Sequence, residues 1–170
     1  MQPQVYSASE FPPRITLCVG AVVVNTDKVL FVRQAEGRER GNWSIPWGFV
    51  DGNAPDGSLE PPDVAAIRET REEAGIIAEV KGLLGVQNHG SRQGKLMVYL
   101  LYLCRHISGE PTPDNQETDK AAYLSLHEIE TLDETALEFC KWIACRVLCG
   151  EHHVIPPMPM NPYYPHLAFL

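Results

Sequence analysis

The chain has 170 residues, 44% of them hydrophobic and 21% charged, which suffices for the core of one compact domain and excludes a second full domain. Its 22 acidic and 14 basic residues give a formal net charge of -8, and no block of Lys and Arg occurs, so we expect no nucleic-acid partner. The sequence contains neither a signal peptide nor an apolar run near the roughly 18 residues of a membrane span, so we expect a cytoplasmic protein without a membrane partner.

The cysteines predict a reduced protein. Their number is five, which is odd, and they are scattered among apolar neighbours instead of forming tight pairs. We therefore interpret them as reduced thiols of the core.

The first part of the chain predicts a β-hairpin and then irregular segments. Two apolar, β-branched runs, 15–24 and 29–32, flank the turn-forming residues 25–28. The polar segment 35–42 should be an exposed loop, and residues 43–50 should turn tightly between short strands. Residues 51–58 are rich in Gly, Pro, Asp and Asn, which favours a further loop.

A helix should follow this loop. Pro61 and Pro62 suit its first turn, where the missing amide hydrogen costs nothing. Good helix formers then continue to Ala74, and Gly75 is a typical helix stop.

The rest of the chain predicts more strands and a second helix. Residues 78–86 and 96–105 are strands joined by a loop at 89–95, and the continuous apolar character of 96–105 places it at the centre of the sheet. Residues 121–124 can add a strand before helical residues resume at Ser125, and 135–148 show helical spacing. We predict an α/β domain over residues 1–150, with a mixed β-sheet between helices. Residues 151–170 form a proline-rich tail that is extended, docked or disordered.

The helix ending at Ala74 carries three carboxylates. At about 100 degrees per residue, Glu69, Glu72 and Glu73 share one face, and the apolar residues of the helix face the other way. Like charges so placed repel each other unless a cation binds them. Oxygen ligands select hard ions such as Mg²⁺, which suits phosphate chemistry. The alternative is a solvated, Glu-rich surface.

The same segment resembles a known family motif. Glu60, seven further residues and then the run from Arg68 to Ile76 are similar to the Nudix box, G-x5-E-x7-R-E-U-x-E-E-x-G-U. Thr70 replaces the usual aliphatic residue, and Trp47 stands where the family usually has Gly. Eleven residues instead of five separate Gly48 from Glu60, so the loop 49–59 is lengthened. The resemblance spans roughly residues 14–150.

This resemblance implies an α/β/α sandwich and a metal-dependent pyrophosphohydrolase. Glu69, Glu72 and Glu73 would bind Mg²⁺, with Mn²⁺ as a substitute, and the backbone carbonyl near Trp47 or Gly48 would assist. Arg68 would orient the glutamates through salt bridges.

A further acid is expected from the loop after the long apolar strand. Glu117 is the first candidate for this position and Asp119 the second, and a solvated surface is the alternative for both. One carboxylate must accept the proton of the attacking water. Glu72 and Glu117 are the candidate bases.

Aromatic and basic residues near the box could contact the substrate. Trp47 and Phe49, together with Trp43 and Tyr99, could stack a nucleobase, and ordinary core packing is the alternative. Arg92 could grip a phosphate or ribose through its bidentate donors, or belong to a plain surface loop.

The sequence leaves several functions open. The leading hypothesis is hydrolysis of a nucleoside diphosphate linked to another moiety, of the ADP-ribose or nucleotide-sugar class. A MutT-like enzyme that releases pyrophosphate from nucleoside triphosphates and a catalytically silent nucleotide-binding domain are the alternatives. The tail could complete a homodimer interface, cover a cleft or remain loosely packed.

Overall fold

A computed structural model describes residues 14–50, 60–90, 95–132, 135–162 and 167–169. The first half contains four strands and a helix: β1 (Arg14–Asn25), β2 (Lys28–Gln34), β3 (Trp43–Ser44), β4 (Trp47–Phe49) and α1 (Pro62–Ala74). The second half adds β5 (Ile77–Gly90), β6 (Lys95–Ser108), β7 (Thr118–Ser125), α2 (Leu126–Glu130), α3 (Glu138–Leu148), β8 (Pro157–Met158) and β9 (Ala168–Phe169).

Seven strands form one mixed sheet. Along the main path the order is β3-β2-β1-β6-β5, while β4 pairs with β1 and β7 pairs with β2. The β1 and β6 strands run parallel, with Cys18 opposite Tyr99, whereas the other pairs in the sheet are antiparallel. The strand at 96–105 is central, as predicted, because β6 lies between β1 and β5. The predicted α/β class with a mixed sheet is confirmed.

Each face of the sheet has its own apolar core. On one face, alternate residues of β1 such as Val19 and Val23 pack against Ala65 and Ala74 of α1. On the other face, Val22 and its neighbours pack against α3. Successive residues of β1 point to opposite faces of the sheet, so the strand packs against α1 on one face and against α3 on the other.

The helix boundaries agree with the sequence for α1 and differ for α3. Gly75 ends α1 in the left-handed region, with φ 67°, and donates its N–H to the Arg71 carbonyl. The helix predicted at 135–148 begins only at Glu138. That prediction was wrong for its first residues because the chain there pairs with β3: Trp43 N–H donates to the Thr135 carbonyl, and Leu137 N–H donates to the Trp43 carbonyl.

The described part of the tail is docked on the domain. Leu83 and Ile155 exchange two backbone hydrogen bonds, each of 2.9 Å, at the edge strand β5. The ring of Phe169 lies 5.5 Å from that of Tyr102, centroid to centroid, and packs against the core on the α1 side. These residues therefore complete the core and protect part of an open strand edge.

Two predicted features lie outside the described residues, and one cysteine differs from its predicted environment. The lengthened loop falls largely at 51–59, and Arg92 falls at 91–94, so both lie outside the described residues. All five cysteines are free, but Cys149 is exposed and Cys145 is only partly buried, so the core interpretation was wrong for Cys149. Within the described ranges, no helix is both long and apolar enough to cross a membrane.

Candidate active site

The inner side of α1 carries two of the three glutamates of this helix. Glu69 is 7% exposed and Glu73 is 2% exposed, and they face the sheet together with the small residues Ala65, Ala66 and Ala74. Glu72 lies on the outer side with its side chain 58% exposed. The sequence predicted one face for all three glutamates, and this was wrong for Glu72. Angular positions around a helix group residues but do not show which of them the sheet will cover.

Strand β4 closes over these carboxylates. A Cβ atom added to Gly48 would overlap the carboxylate of Glu69, so only glycine permits this approach of strand and helix. The neighbouring Trp47 N–H donates to Oε2 of Glu73 at 3.1 Å. Gln34 also donates a side-chain hydrogen bond to Glu73. The Glu73 carboxylate is thus held from two strands, β4 and β2.

Glu117 completes a cluster with the two inner glutamates. One carboxylate oxygen each from Glu69, Glu73 and Glu117 lies within 4.8 Å of the others, which makes this a group capable of holding a cation. Glu117 itself is exposed. Two carboxylates of this group are therefore buried, and the third is exposed to solvent.

Burial raises the pKa of the two inner carboxylates. Desolvation raises the pKa of Glu73 to about 9, against the lowering effect of the Trp47 N–H donor, and the nearby carboxylates raise it further. Desolvation likewise raises the pKa of Glu69 to about 7, although Arg68 opposes it. Perturbed acids of this kind are concentrated at functional sites.

Arg68 donates hydrogen bonds to three glutamates of the motif. Its guanidinium donates to Glu60 at 3.0 Å, to Glu69 Oε1 at 2.8 Å and to Glu72 Oε2 at 2.9 Å. It also donates to the Phe49 carbonyl at 3.0 Å, which links the helix to the end of β4. These bonds raise the pKa of Arg68 above its already high ordinary value. The geometry that an orienting role requires is present.

Two other predicted acids lie away from the cluster. Glu72 is next to it in sequence, but its carboxylate points outward to Arg68 and lies outside the group of three. Asp119 pairs with Arg33 through two bonds of 2.7 and 2.9 Å on the adjacent surface. Of the two acids considered for the loop, the structure brings Glu117 to the cluster.

The aromatic candidates divide into a core residue and a group beside the site. Trp43 is buried in the core on the α3 side. The rings of Trp47 and Tyr99 lie 6.1 Å apart, as do those of Trp47 and Phe49. Phe49 is 50% exposed, and the indole N–H of Trp47 is buried with no hydrogen-bond partner among the described residues. Trp47 and Phe49 flank Gly48 in β4, next to the carboxylate of Glu69.

Two buried polar residues at the site escaped the sequence analysis. Gln34 lies where the pairing of β2 and β7 shifts register, and it donates to Ser44 as well as to Glu73. Thr118 is fully buried, and its hydroxyl donates to the Glu73 carbonyl at 2.6 Å. The polar Gln34 at the end of an apolar strand was the only available signal.

Comparison with known proteins defines the family. Residues 14–143 match the NUDIX domain, and the chain therefore belongs to the Nudix hydrolases. Members of this family hydrolyse pyrophosphate bonds of nucleoside diphosphate-linked compounds and generally use divalent metals. The chain is accordingly a hydrolase acting on phosphoric anhydride bonds.

Three relatives show the range of similarity. An ADP-ribose pyrophosphatase of Methanocaldococcus jannaschii is 22% identical over 130 residues, covering 74% of this chain and 73% of that protein. A MutT-like protein of Streptomyces ambofaciens is 31% identical over 108 residues, covering 63% of this chain and 62% of the relative, slightly under two thirds of its length. The crystal structure of a MutT NUDIX hydrolase from Burkholderia pseudomallei aligns with TM-score 0.64 and 28% identity over 78% of this chain and 97% of that one.

Proposed function

We propose that this chain hydrolyses the pyrophosphate of a nucleoside diphosphate linked to another moiety, of the ADP-ribose or nucleotide-sugar class, with Mg²⁺ as its cofactor. The observation that carries the proposal is the group of Glu69, Glu73 and Glu117, with its oxygens within 4.8 Å of one another and two of its three carboxylates buried. The similarity to an ADP-ribose pyrophosphatase supports the substrate class.

The cluster fits a hard divalent cation. Its donors are all oxygens, which Mg²⁺ prefers and for which Mn²⁺ can substitute. Burying two carboxylates side by side raises the pKa of Glu73 and of Glu69, even with Arg68 bonded to Glu69, and a bound cation would remove this penalty. Gly48 leaves room for the Glu69 carboxylate, and we propose that the backbone carbonyl of this segment supplies a further ligand.

The protein groups have separate tasks in this proposal. When bound, Mg²⁺ would neutralise the pyrophosphate oxygens and make a water molecule more acidic. Glu69 and Glu73 hold the cation, and Arg68 fixes Glu69 through its 2.8 Å bond. Glu117 offers one carboxylate oxygen to the same cation and, being exposed at the edge of the cluster, would accept the proton of the attacking water and release it to solvent. Glu72 is the second candidate base and a candidate outer ligand.

Substrate contacts are proposed for the aromatic group and for Arg92. We propose that the exposed ring of Phe49, with the neighbouring ring of Trp47, stacks on a nucleobase. We assign Arg92 to the phosphate or ribose. Replacing Phe49 with Leu should raise KM for the nucleotide substrate and leave kcat nearly unchanged.

A second candidate function is MutT-like cleavage of nucleoside triphosphates with release of pyrophosphate. The similarity to two MutT-type proteins favours it. The same cluster serves both reactions, because it recognises the pyrophosphate and not its substituents.

A substrate screen tests these alternatives. The purified protein is incubated with ADP-ribose, nucleotide sugars, NADH, dinucleoside polyphosphates and nucleoside triphosphates in Mg²⁺ or Mn²⁺, with Glu73→Gln as control. Turnover of a diphosphate-linked compound that the variant lacks would support the proposal. Turnover of triphosphates alone would establish the MutT-like function. A folded, metal-binding protein without turnover would be a silent nucleotide-binding domain.

Assembly and location remain predictions. A homodimer is tested by light scattering of the purified chain, and a cytoplasmic location by microscopy of a tagged protein.

A further inference from the structure

The carboxylate of Glu117 comes from an irregular segment. Glu117 directly precedes β7, after a segment from Gly109 onward that contains neither helix nor strand. Glu69 and Glu73, by contrast, lie on one helix. Because three carboxylates close together repel one another, an acid on an exposed loop needs a separate restraint to stay in the group.

Asp114 supplies this restraint. Its Oδ1 accepts the backbone N–H of Gln116 at 3.0 Å and of Thr118 at 2.8 Å, and its Oδ2 accepts that of Glu117 at 3.1 Å. The Thr118 hydroxyl adds a fourth contact to Oδ1, at 3.2 Å. The side chain of Asp114 therefore organises the whole turn.

The turn is joined to the rest of the site at three points. The Ala35 N–H donates to the Glu117 carbonyl at 2.8 Å, so both backbone polar groups of Glu117 are engaged. The Thr118 hydroxyl donates to the carbonyl of Glu73. The Thr112 N–H donates to the carbonyl of Ala74 at 2.9 Å. These bonds therefore fix the turn that Asp114 organises relative to the end of α1 that carries Glu73.

We propose that Asp114 is a positioning residue, which acts through the backbone of residues 116–118 to hold the Glu117 carboxylate beside Glu69 and Glu73 before a cation binds. The inference rests on the proposed function, since it assumes that the cluster is a cation site. Asp114 itself lies outside the group of three carboxylates.

The test compares metal affinity in four proteins. Mg²⁺ and Mn²⁺ binding is measured calorimetrically without substrate for the wild type, Asp114→Ala, Asp114→Asn and Glu110→Gln. Glu110 is an exposed acid of the same loop, and its variant controls for the loss of one charge. We expect Asp114→Ala to weaken binding about tenfold, the lower end for residues that orient a ligand. Asp114→Asn keeps one acceptor oxygen and should lie in between, while Glu110→Gln should bind like the wild type.

A double-mutant cycle separates positioning from general damage to the fold. If Asp114 acts through Glu117, Asp114→Ala should cost little further affinity in a Glu117→Gln background. Amide hydrogen exchange of the metal-free protein should be faster at residues 116–118 in Asp114→Ala and unchanged in the sheet. Additive losses, unchanged affinity or unchanged exchange would overturn the inference while leaving the proposed function intact. A wild type that binds neither cation would overturn both.

Discussion

The inner and outer sides of α1 carry the same type of residue in opposite surroundings. Glu73 is 2% exposed and borders the sheet, whereas the side chain of its neighbour Glu72 is 58% exposed and reaches Arg68. An exposed glutamate is an ordinary surface residue and contributes little to stability. A buried one close to two other carboxylates destabilises the fold unless a cation joins it. The inner side is therefore organised for a ligand and the outer side for water.

The largest expected effect is the loss of activity when Glu73 is replaced, compared with the replacement of its neighbour Glu72. Glu73→Gln should lower kcat/KM by more than the roughly 10–100-fold typical of residues that only orient a ligand, because a ligand itself is lost. Glu72→Gln should cost less if Glu72 is an outer ligand. Steady-state kinetics on whichever substrate the screen identifies will measure both. Equal losses would show that Glu72 takes part as directly as Glu73, and the inner–outer distinction would fail.

The sequence predicted the inner side only in part. The spacing of Glu69, Glu72 and Glu73, together with Arg68 and Gly75, identified the helix and its acids, because helical periodicity is a local property. Which of the acids would be buried depends on where β4 crosses the helix, and that crossing is a tertiary contact through Gly48. Angular position alone could not show it.

The loop side of the site was less predictable. Glu117 was named from its place after the long strand, whereas Asp119 two residues later was equally acidic and lies outside the cluster, paired with Arg33. The choice between them depends on backbone hydrogen bonds to Asp114 and Ala35, which leave no periodic pattern in the sequence. Gln34 and Thr118 were missed for the same reason.

The second prediction removes the space at Gly48. In Gly48→Ala the added methyl group must displace the Glu69 carboxylate, which Arg68 holds. We expect Mg²⁺ affinity to fall about tenfold, as for loss of a residue that orients a ligand. Gly41→Ala is an unsuitable control because of its positive φ, but Gly85→Ala has open space around the new Cβ and should bind like the wild type. Calorimetric titration of the three proteins decides this, and equal affinities would mean that Glu69 does not need its present position.

The third prediction concerns pH and stability. The pKa of Glu73 is raised to about 9 and that of Glu69 to about 7. Since the folded protein holds these protons more tightly than the unfolded chain, the contribution of these two groups to the stability of the metal-free protein is greatest below the unfolded pKa near 4.5 and falls as pH rises towards 9. Saturating Mg²⁺ should offset the loss at high pH, because it binds the folded, ionised cluster. Thermal melts from pH 5 to 9, with and without Mg²⁺, measure the slope.

Matched variants attribute that slope to the inner side. Glu73→Gln replaces the protonated acid with a neutral group of the same shape, so it should flatten the decline and raise Tm at pH 8 in the metal-free protein. Glu72→Gln should leave the slope unchanged. A decline that persists undiminished in Glu73→Gln would show that other groups cause it.

The smallest effect is expected for the outer acid Asp119. Its bidentate pair with Arg33 is exposed, and Arg33 holds the pKa of Asp119 below its ordinary value. A lowered pKa gives stability that is present above the unfolded value near 3.8 and is lost as pH falls. Because exposed pairs contribute about 0–1 kcal/mol, Asp119→Asn should lower Tm at pH 7 by less than about 4 °C and leave Mg²⁺ affinity unchanged. A loss of affinity comparable to that of Glu117→Gln would instead make Asp119 a ligand, reached by a rearrangement of the Arg33 pair, and the loop would then contribute two acids to the site.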